Sequence, residues 1–227
     1  MTTRELSVET TATLPDRLRM TYEEFLAWAG EDTRAEWVEG EVIVFMPPKN
    51  LHQTMVGFLY VLLSAFIRLH KLGKLQVAPF EVKIKPDGNS REPDLIFLTN
   101  EHLDRLTADR IAGPPDLIIE VVSDDSTHRD RVDKFDEYEA GGVPEYWVID
   151  YRAARRRADF YQLDRRGQYQ RAAIGDDGIY HAAVLPGFWL KLDWLLADEL
   201  DWLKALGQIV GPERLAEVIR LEAETKE

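Results

Sequence analysis

The chain has no cysteine. That excludes disulfides, thiolate zinc sites and cysteine nucleophiles, and it leads to the expectation of a reducing, cytoplasmic setting. No continuous apolar run reaches the ~18 residues that a membrane span needs, so none is expected. Met1 to Arg19 is polar and threonine-rich, without the apolar centre of a signal peptide. Internal repeats and low-complexity tracts are missing as well. Positive charge is short: 28 basic residues stand against 41 acidic ones, a net charge of −13. Phosphate contacts need local positive charge, so such a chain makes a poor general binder of nucleic acid. What is present is a 45% apolar share and six tryptophans over 227 residues. This suits one sizeable domain, or one domain with an appendage.

The stretch from Pro114 to Ser123 organises the rest. Two prolines and Asp116 open it, and the run Leu117-Ile118-Ile119 leads through Glu120 to Val121-Val122. An apolar, β-branched run of this length reads as a strand covered on both faces. An unpaired buried charge costs several kcal/mol, so Glu120 needs a cation partner, a proton or a metal. A second apolar strand, Leu95 to Leu98, is opened by Asp94. Two such strands could bring both carboxylates to one end of a sheet, where a hard divalent cation such as Mg²⁺ is attracted. The plainer reading, salt bridges to nearby arginine or lysine, stays open on these residues alone.

Along the chain, Thr21 and Glu24 form a capping box for a helix from Tyr22 to Trp28, with Phe25 and Trp28 as its apolar face. Glu36 to Val38 and Val42 to Met46 read as a hairpin about Glu39-Gly40. From Leu51 to Lys71 the apolar positions recur at three and four, an amphipathic helix closed by Gly73. Val77 to Lys85 alternates as a single strand, with Glu81, Lys83 and Lys85 on one face. Glu101 to Ile111 suggests a short helix or lid. Asp124 to Thr127 suits a capping loop for a helix over His128–Ala140, and Glu145 to Asp150 is a further buried strand. Ala158 to Leu163 and Tyr169 to Ile174 form a hairpin, Phe188 to Leu192 a last strand, and Trp194 to Lys226 two helices split at Gly211-Pro212. The expected architecture is α/β (α+β), a central mixed β-sheet flanked by helices. Lys134, about six residues into its helix and roughly 9 Å along the axis, can point back at Glu120. Asp130, four residues earlier, shares its face, and a solvated Asp130–Lys134 pair is the plain alternative.

These residues carry a resemblance. Glu120-Val121-Val122-Ser123, Asp130 with Lys134, Gly142 to Asp150 and Pro93-Asp94 resemble the Uma-two family, as do Glu36 to Glu41 and His52 upstream. The family groups endonucleases of the restriction-endonuclease-like, P-D-(D/E)-X-K superfamily. The likeness runs from about Tyr22 to Leu196. It divides the chain into an N-terminal arm (1–19), a nuclease domain (20–196) and a helical C-terminal tail (197–227). It implies a restriction-endonuclease-like fold, Mg²⁺- or Mn²⁺-dependent phosphodiester hydrolysis, a nucleic acid substrate, DNA by preference, and a homodimer. The implied metal ligands are Asp94, Glu120, the main-chain carbonyl at Val121, and Glu81 as a third acid on the preceding strand. The superfamily's lysine position is Val122 here, and Lys134 matches the place to which this family moves that lysine. Glu36 and His52 match family positions, Glu36 with the catalytic set and His52 beside nucleic acid. A surface charge pair for Glu81 and a structural hydrogen bond for His52 are the plainer readings.

The expected chemistry is a metal-activated water, with a protonated Lys134 stabilising the phosphorane charge rather than acting as a base. Against the acidity of the whole, residues 152–171 hold seven arginines and two aspartates, a local +5. Arg155, Arg156 and Arg157 are the candidates to track a nucleic acid backbone, and a solubilising or dimer-contact hairpin is the alternative. Two other readings remain: a catalytically silent nuclease-like binding or regulatory module, or a structural protein whose acids are spent in internal salt bridges.

Overall fold

The computed structural model describes residues 18–30, 33–123, 126–152 and 155–224. Residues 1–17 of the expected arm, and Asp124 and Asp125 of the expected capping loop, lie outside the described residues.

The capping box forms as expected. The Thr21 hydroxyl accepts from the Glu24 amide, the Glu24 carboxylate accepts from the Thr21 amide, and α1 runs Tyr22–Trp28. Phe25 is buried, whereas Trp28 is exposed, its ring 6.3 Å from that of Phe25, so α1 buries a narrower face than its spacing implies. Strand β1 (Leu18–Arg19) pairs with β3 (Glu41–Val44), and β3 with β2 (Ala35–Val38) about the Glu39-Gly40 turn, both antiparallel. Glu39 and Gly40 both have positive φ, as a two-residue hairpin of this hand demands.

Helix α2 spans Asn50–His70, and Leu59, Leu62, Leu63 and Phe66 on its apolar stripe are fully buried. By length and composition α2 is apolar enough to cross a membrane, which the count of continuous apolar residues does not reveal; its stripe is spent in the core. Its C-cap is Lys71 in the left-handed region rather than Gly73. Gly73 has a different duty: a Cβ there would lie 1.9 Å from the Leu98 carbonyl oxygen. It lets β4 (Gly73–Val77) lie against β6 (Leu95–Thr99).

The expected strand from Val77 to Lys85 is two strands. Pro79 carries no N–H for a ladder, and the chain turns out of the main sheet there. β5 (Glu81–Lys83) then pairs in parallel with β7 (Arg110–Ala112) in a separate ribbon, after a 3₁₀ turn at Asn100–Arg105.

The main sheet has the order β11-β10-β9-β8-β6-β4. Here β8 is Leu117–Val121, β9 Glu145–Asp150, β10 Arg157–Leu163 and β11 Tyr169–Arg171. Only β8 and β9 are parallel; a crossover through a π turn (Arg129–Asp133) and α3 (Lys134–Ala140) joins them. A ribbon of β12 (Ile179–His181) and β13 (Trp189–Lys191), then α4 (Leu192–Leu196), α5 (Trp202–Val210) and α6 (Pro212–Glu224), complete the chain. The reading of the sequence had neither β12 nor α4 as elements.

Period-two alternation divides β8 cleanly. Leu117, Ile119 and Val121 pack with α2, Trp147 and Phe160 in the larger core. Ile118 and Val122 face the other way, towards Tyr138 of α3 and Tyr146. Glu120 lies between Ile118 and Val122 and therefore points to the α3 side. The tail is not a separate layer: Ala205 and Leu206 of α5 are buried in the α2 core.

Candidate active site

Strands β6 and β8 run antiparallel with Leu95 opposite Ile119. One step further along the ladder Asp94 faces Glu120. Asp94 sits just before β6, and its Oδ2 accepts from the Val121 amide at 2.8 Å. Its other neighbour is His52, whose Nε2 lies 3.3 Å from Oδ2. Burial pushes the His52 imidazolium down, but the Asp94 hydrogen bond and charge reverse that, and the net direction is up. His52 thus lies buried in the first turns of α2, set against Asp94.

Glu120 is 4% exposed. Its Oε1 accepts from Lys134 Nζ at 2.7 Å and from the Tyr138 hydroxyl at 3.2 Å. Lys134 also reaches Glu36 Oε1 at 2.9 Å and stands 3.7 Å from Asp130 Oδ1. Glu36 is held in turn by Arg91, at 3.1 Å, and by the Glu92 amide at 3.2 Å, while Arg91 Nε donates to Glu137 at 2.9 Å. The helix therefore delivers its lysine to Glu120, as its spacing predicts, and the β2 hairpin supplies Glu36 from behind.

The titration behaviour follows. Burial would strip the proton from Lys134, but Glu120, Glu36 and Asp130 more than offset it and hold the ammonium charged. Burial likewise raises Glu36, yet Lys134 and Arg91 outweigh it and bring the carboxyl down to about 2. For Glu120 burial prevails: Lys134 opposes it, Asp130, Asp94 and Glu36 add to the rise, and the carboxyl goes well up. Asp130 rises too, by burial against Lys134.

A cavity of about 80 Å³, room for a few water molecules, opens over this cluster. Asp94, Glu120, the Val121 main chain, Asp130, Lys134 and His52 line it. Asp130 is 1% exposed, and its Oδ1 has no hydrogen-bond partner. Glu92 also lines the cavity, with burial raising its carboxyl to about 7. Four acids stand against three lysine or arginine side chains around the cavity, and two buried carboxylate oxygens, Asp130 Oδ1 and Glu92 Oε2, lack a hydrogen-bond partner. Such a set fits a hard divalent cation bound by oxygen. Among the described residues no three His, Cys, Asp or Glu side chains are grouped closely enough to hold a metal alone. Asp94 and Glu120 would need main-chain carbonyl and water to complete the shell of such a cation.

The structure does not bring the remaining candidates to the cavity. Glu81 lies on the β5–β7 ribbon, where it accepts from the Tyr22 hydroxyl and stands 3.4 Å from Arg110 Nε. Its turn away from the site follows from the break at Pro79. Arg156 is bonded to the Leu196 carbonyl at 2.6 Å and to Asp198 at 3.0 Å, and Arg157 to Asp159 at 2.7 Å. Asp159 also holds Arg131 and Arg171. Arg155 is exposed at the turn before β10, outside the cavity lining. Much of the local +5 is thus spent on structure.

Three cationic residues are not among the expected ones. Arg34 lines the cavity. Arg91 sits in an isolated β-bridge to Val82, with no periodicity to mark it, and it anchors Glu36. Arg129 lines the cavity from the π turn; its one sequence signal is its place directly before Asp130.

A family model described as "Putative restriction endonuclease", Uma2, matches residues 22–193. The chain belongs to the Uma2 family. A crystal structure of "a putative nuclease belonging to DUF820" from Anabaena variabilis ATCC 29413 superposes with a TM-score of 0.63. It is 16% identical, and the match covers 78% of this chain and 97% of that one. At that identity the likeness speaks to fold, and the fold is the restriction-endonuclease-like mixed sheet. No curated protein matches the chain. Uma2 membership puts the chain among nuclease-type hydrolases.

Proposed function

We propose that this Uma2 protein is a divalent-metal-dependent endonuclease that hydrolyses phosphodiester bonds in DNA. The observation that carries the reading is the convergence of Asp94, Glu120 and Lys134 on one cavity from β6, β8 and α3. The family's description as restriction endonucleases supports DNA as the target. Homodimerisation and a cytoplasmic setting rest on the family resemblance and the lack of cysteine, and belong to the same proposal.

Asp94, Glu120 and the Val121 carbonyl would hold Mg²⁺ or Mn²⁺, which when bound supplies an activated water and charge neutralisation at the phosphate. The residues' own work is separate. Lys134 stays protonated and offers its ammonium to charge developing on the phosphate oxygens. Glu36, clamped by Arg91, positions that ammonium. His52 and the Val121 amide orient the Asp94 carboxylate.

One observation favours a second reading. Lys134 already closes ion pairs with Glu120 and Glu36, so the site is partly self-neutralised in a way that suits a silent binding module. A panel of supercoiled plasmid, linear duplex, single-stranded DNA and RNA, incubated with Mg²⁺ or Mn²⁺ and with EDTA as blank, separates the two. Metal-dependent cutting of DNA is the expected result. Metal and DNA binding without any cutting would replace the enzyme by the binding module.

A further inference from the structure

A second hollow, of about 370 Å³, adjoins the carboxylate cavity between the end of the β2–β3 hairpin and the residue after β9. Its volume falls in the range of small-molecule sites. The two hollows share Phe45, Met46, Pro48, Ser123 and Arg129 as a common wall. Tyr151 also lines the second hollow, its ring centroid 6.3 Å from that of His52. Met46, a large apolar side chain on that wall, is 79% exposed. Arg129 stands at the junction with its guanidinium 4.9 Å from the Phe45 ring centroid, and its Nε is buried without a hydrogen-bond partner. A hollow lined by two aromatic residues, Phe45 and Tyr151, beside a guanidinium and adjoining the carboxylates suits a ligand with a planar face joined to an anionic group.

We propose that this hollow is a nucleobase subsite, taking the unpaired base of a single-stranded nucleotide whose phosphate lies in the carboxylate cavity. The inference rests on the nuclease reading and gives it a preference for single strands and for locally unpaired duplex over intact duplex. The base lies between Phe45 and Tyr151, and Arg129 meets the phosphate beside it. Stacking is sequence-tolerant and adds affinity without a charge contact of its own. It therefore answers the net charge of −13, and the commitment of Arg156 and Arg157 to Asp198 and Asp159, better than a broad phosphate-binding face does. A duplex would have to unstack and unpair the same base at a cost of about a few kcal/mol, which a single strand does not incur.

The test is fluorescence anisotropy with a labelled single-stranded DNA of about 15 nucleotides, the span of one or more single-strand sites. Ca²⁺ replaces Mg²⁺ so that binding is read without turnover. A single abasic position is moved along the strand. One position, and no other, should raise Kd about tenfold, the scale of one base–aromatic stack. Phe45→Ala should lose the same factor on the intact strand and become indifferent to that abasic position, while Phe45→Trp keeps wild-type binding. A flat abasic scan, which needs no variant and so no assumption about folding, overturns the subsite. So does tighter binding of duplex than of single strand. If plasmid cutting persists in either case, the nuclease reading stands and only the subsite falls. If the folded protein binds Mg²⁺ through Asp94 but no nucleic acid in any form, both fall together.

Discussion

At the residue scale, Lys134 answers to three carboxylates at once, Glu120, Glu36 and Asp130, in a setting with almost no water. Removing one partner of a buried ion pair leaves the others uncompensated, which costs about 3–5 kcal/mol. Lys134→Met should therefore lose both stability and activity. Adding Glu36→Gln removes one of the stranded charges and should recover part of the stability but none of the activity, a split read by urea unfolding beside plasmid nicking. Glu36 sets a pH limit. Its folded carboxyl titrates near 2 against an ordinary 4.5, so its stabilising contribution is complete above about pH 4.5 and is lost as pH falls through about 2. The unfolding free energy of Glu36→Gln should lie about 3 kcal/mol below wild type at pH 6, and the gap should close towards pH 2. A gap independent of pH would contradict the ion-pair account. Asp159 offers a test away from the cavity. Arg131, Arg157 and Arg171 converge on it, and Asp159→Asn should cost about 2 kcal/mol or more at neutral pH, since three guanidiniums then face each other unpaired.

At the element scale, the sheet and the helix after β8 were legible because they rest on strong periodicity. The alternation of β8 sends Glu120 to the same side as α3, and helical spacing sends Lys134 back to it. What was not legible depends on interruptions and long-range pairing. The alternation from Val77 to Lys85 looks like one strand; Pro79 divides it and takes Glu81 to another ribbon. Nothing local distinguishes Arg91, whose partners Glu36 and Glu137 come from a distant hairpin and from α3. The arginine-rich hairpin misleads for a related reason: net charge counts arginines, and only the fold reveals that aspartates already hold them. Gly73 illustrates a backbone constraint read wrongly as a helix cap. With the Leu98 carbonyl where a Cβ would stand, Gly73→Ala should open the β4–β6 ladder and cost more than about 2 kcal/mol, measurable as a fall in the thermal midpoint. An unchanged midpoint would mean that the close approach is not obligatory.

At the scale of the whole molecule, the two faces of the sheet divide the work. The α2 face carries most of the apolar core, and the α3 face carries the charged cluster. The C-terminal segment belongs to the first. Leu206 and Ala205 are buried against the α2 core, and one buried leucine alone contributes about 1.5–3 kcal/mol. Ending the chain at Leu196 should therefore lower the thermal midpoint sharply; a truncated chain as stable as the full one would make residues 197–227 a true appendage. The net charge of −13 has a corollary for binding: the salt dependence of DNA affinity should be shallow, because few counterions are released.

The central claim is that Asp94, Glu120 and Lys134 form one metal-dependent hydrolytic centre. The most direct measurement is the rate of supercoiled-plasmid nicking against Mg²⁺ concentration, for wild type, Asp94→Asn, Glu120→Gln and Lys134→Met, each confirmed folded by circular dichroism. The account predicts saturable, EDTA-sensitive nicking by wild type and a loss of about a hundredfold or more in every variant. Nicking that survives in the folded Asp94→Asn and Glu120→Gln proteins would contradict it.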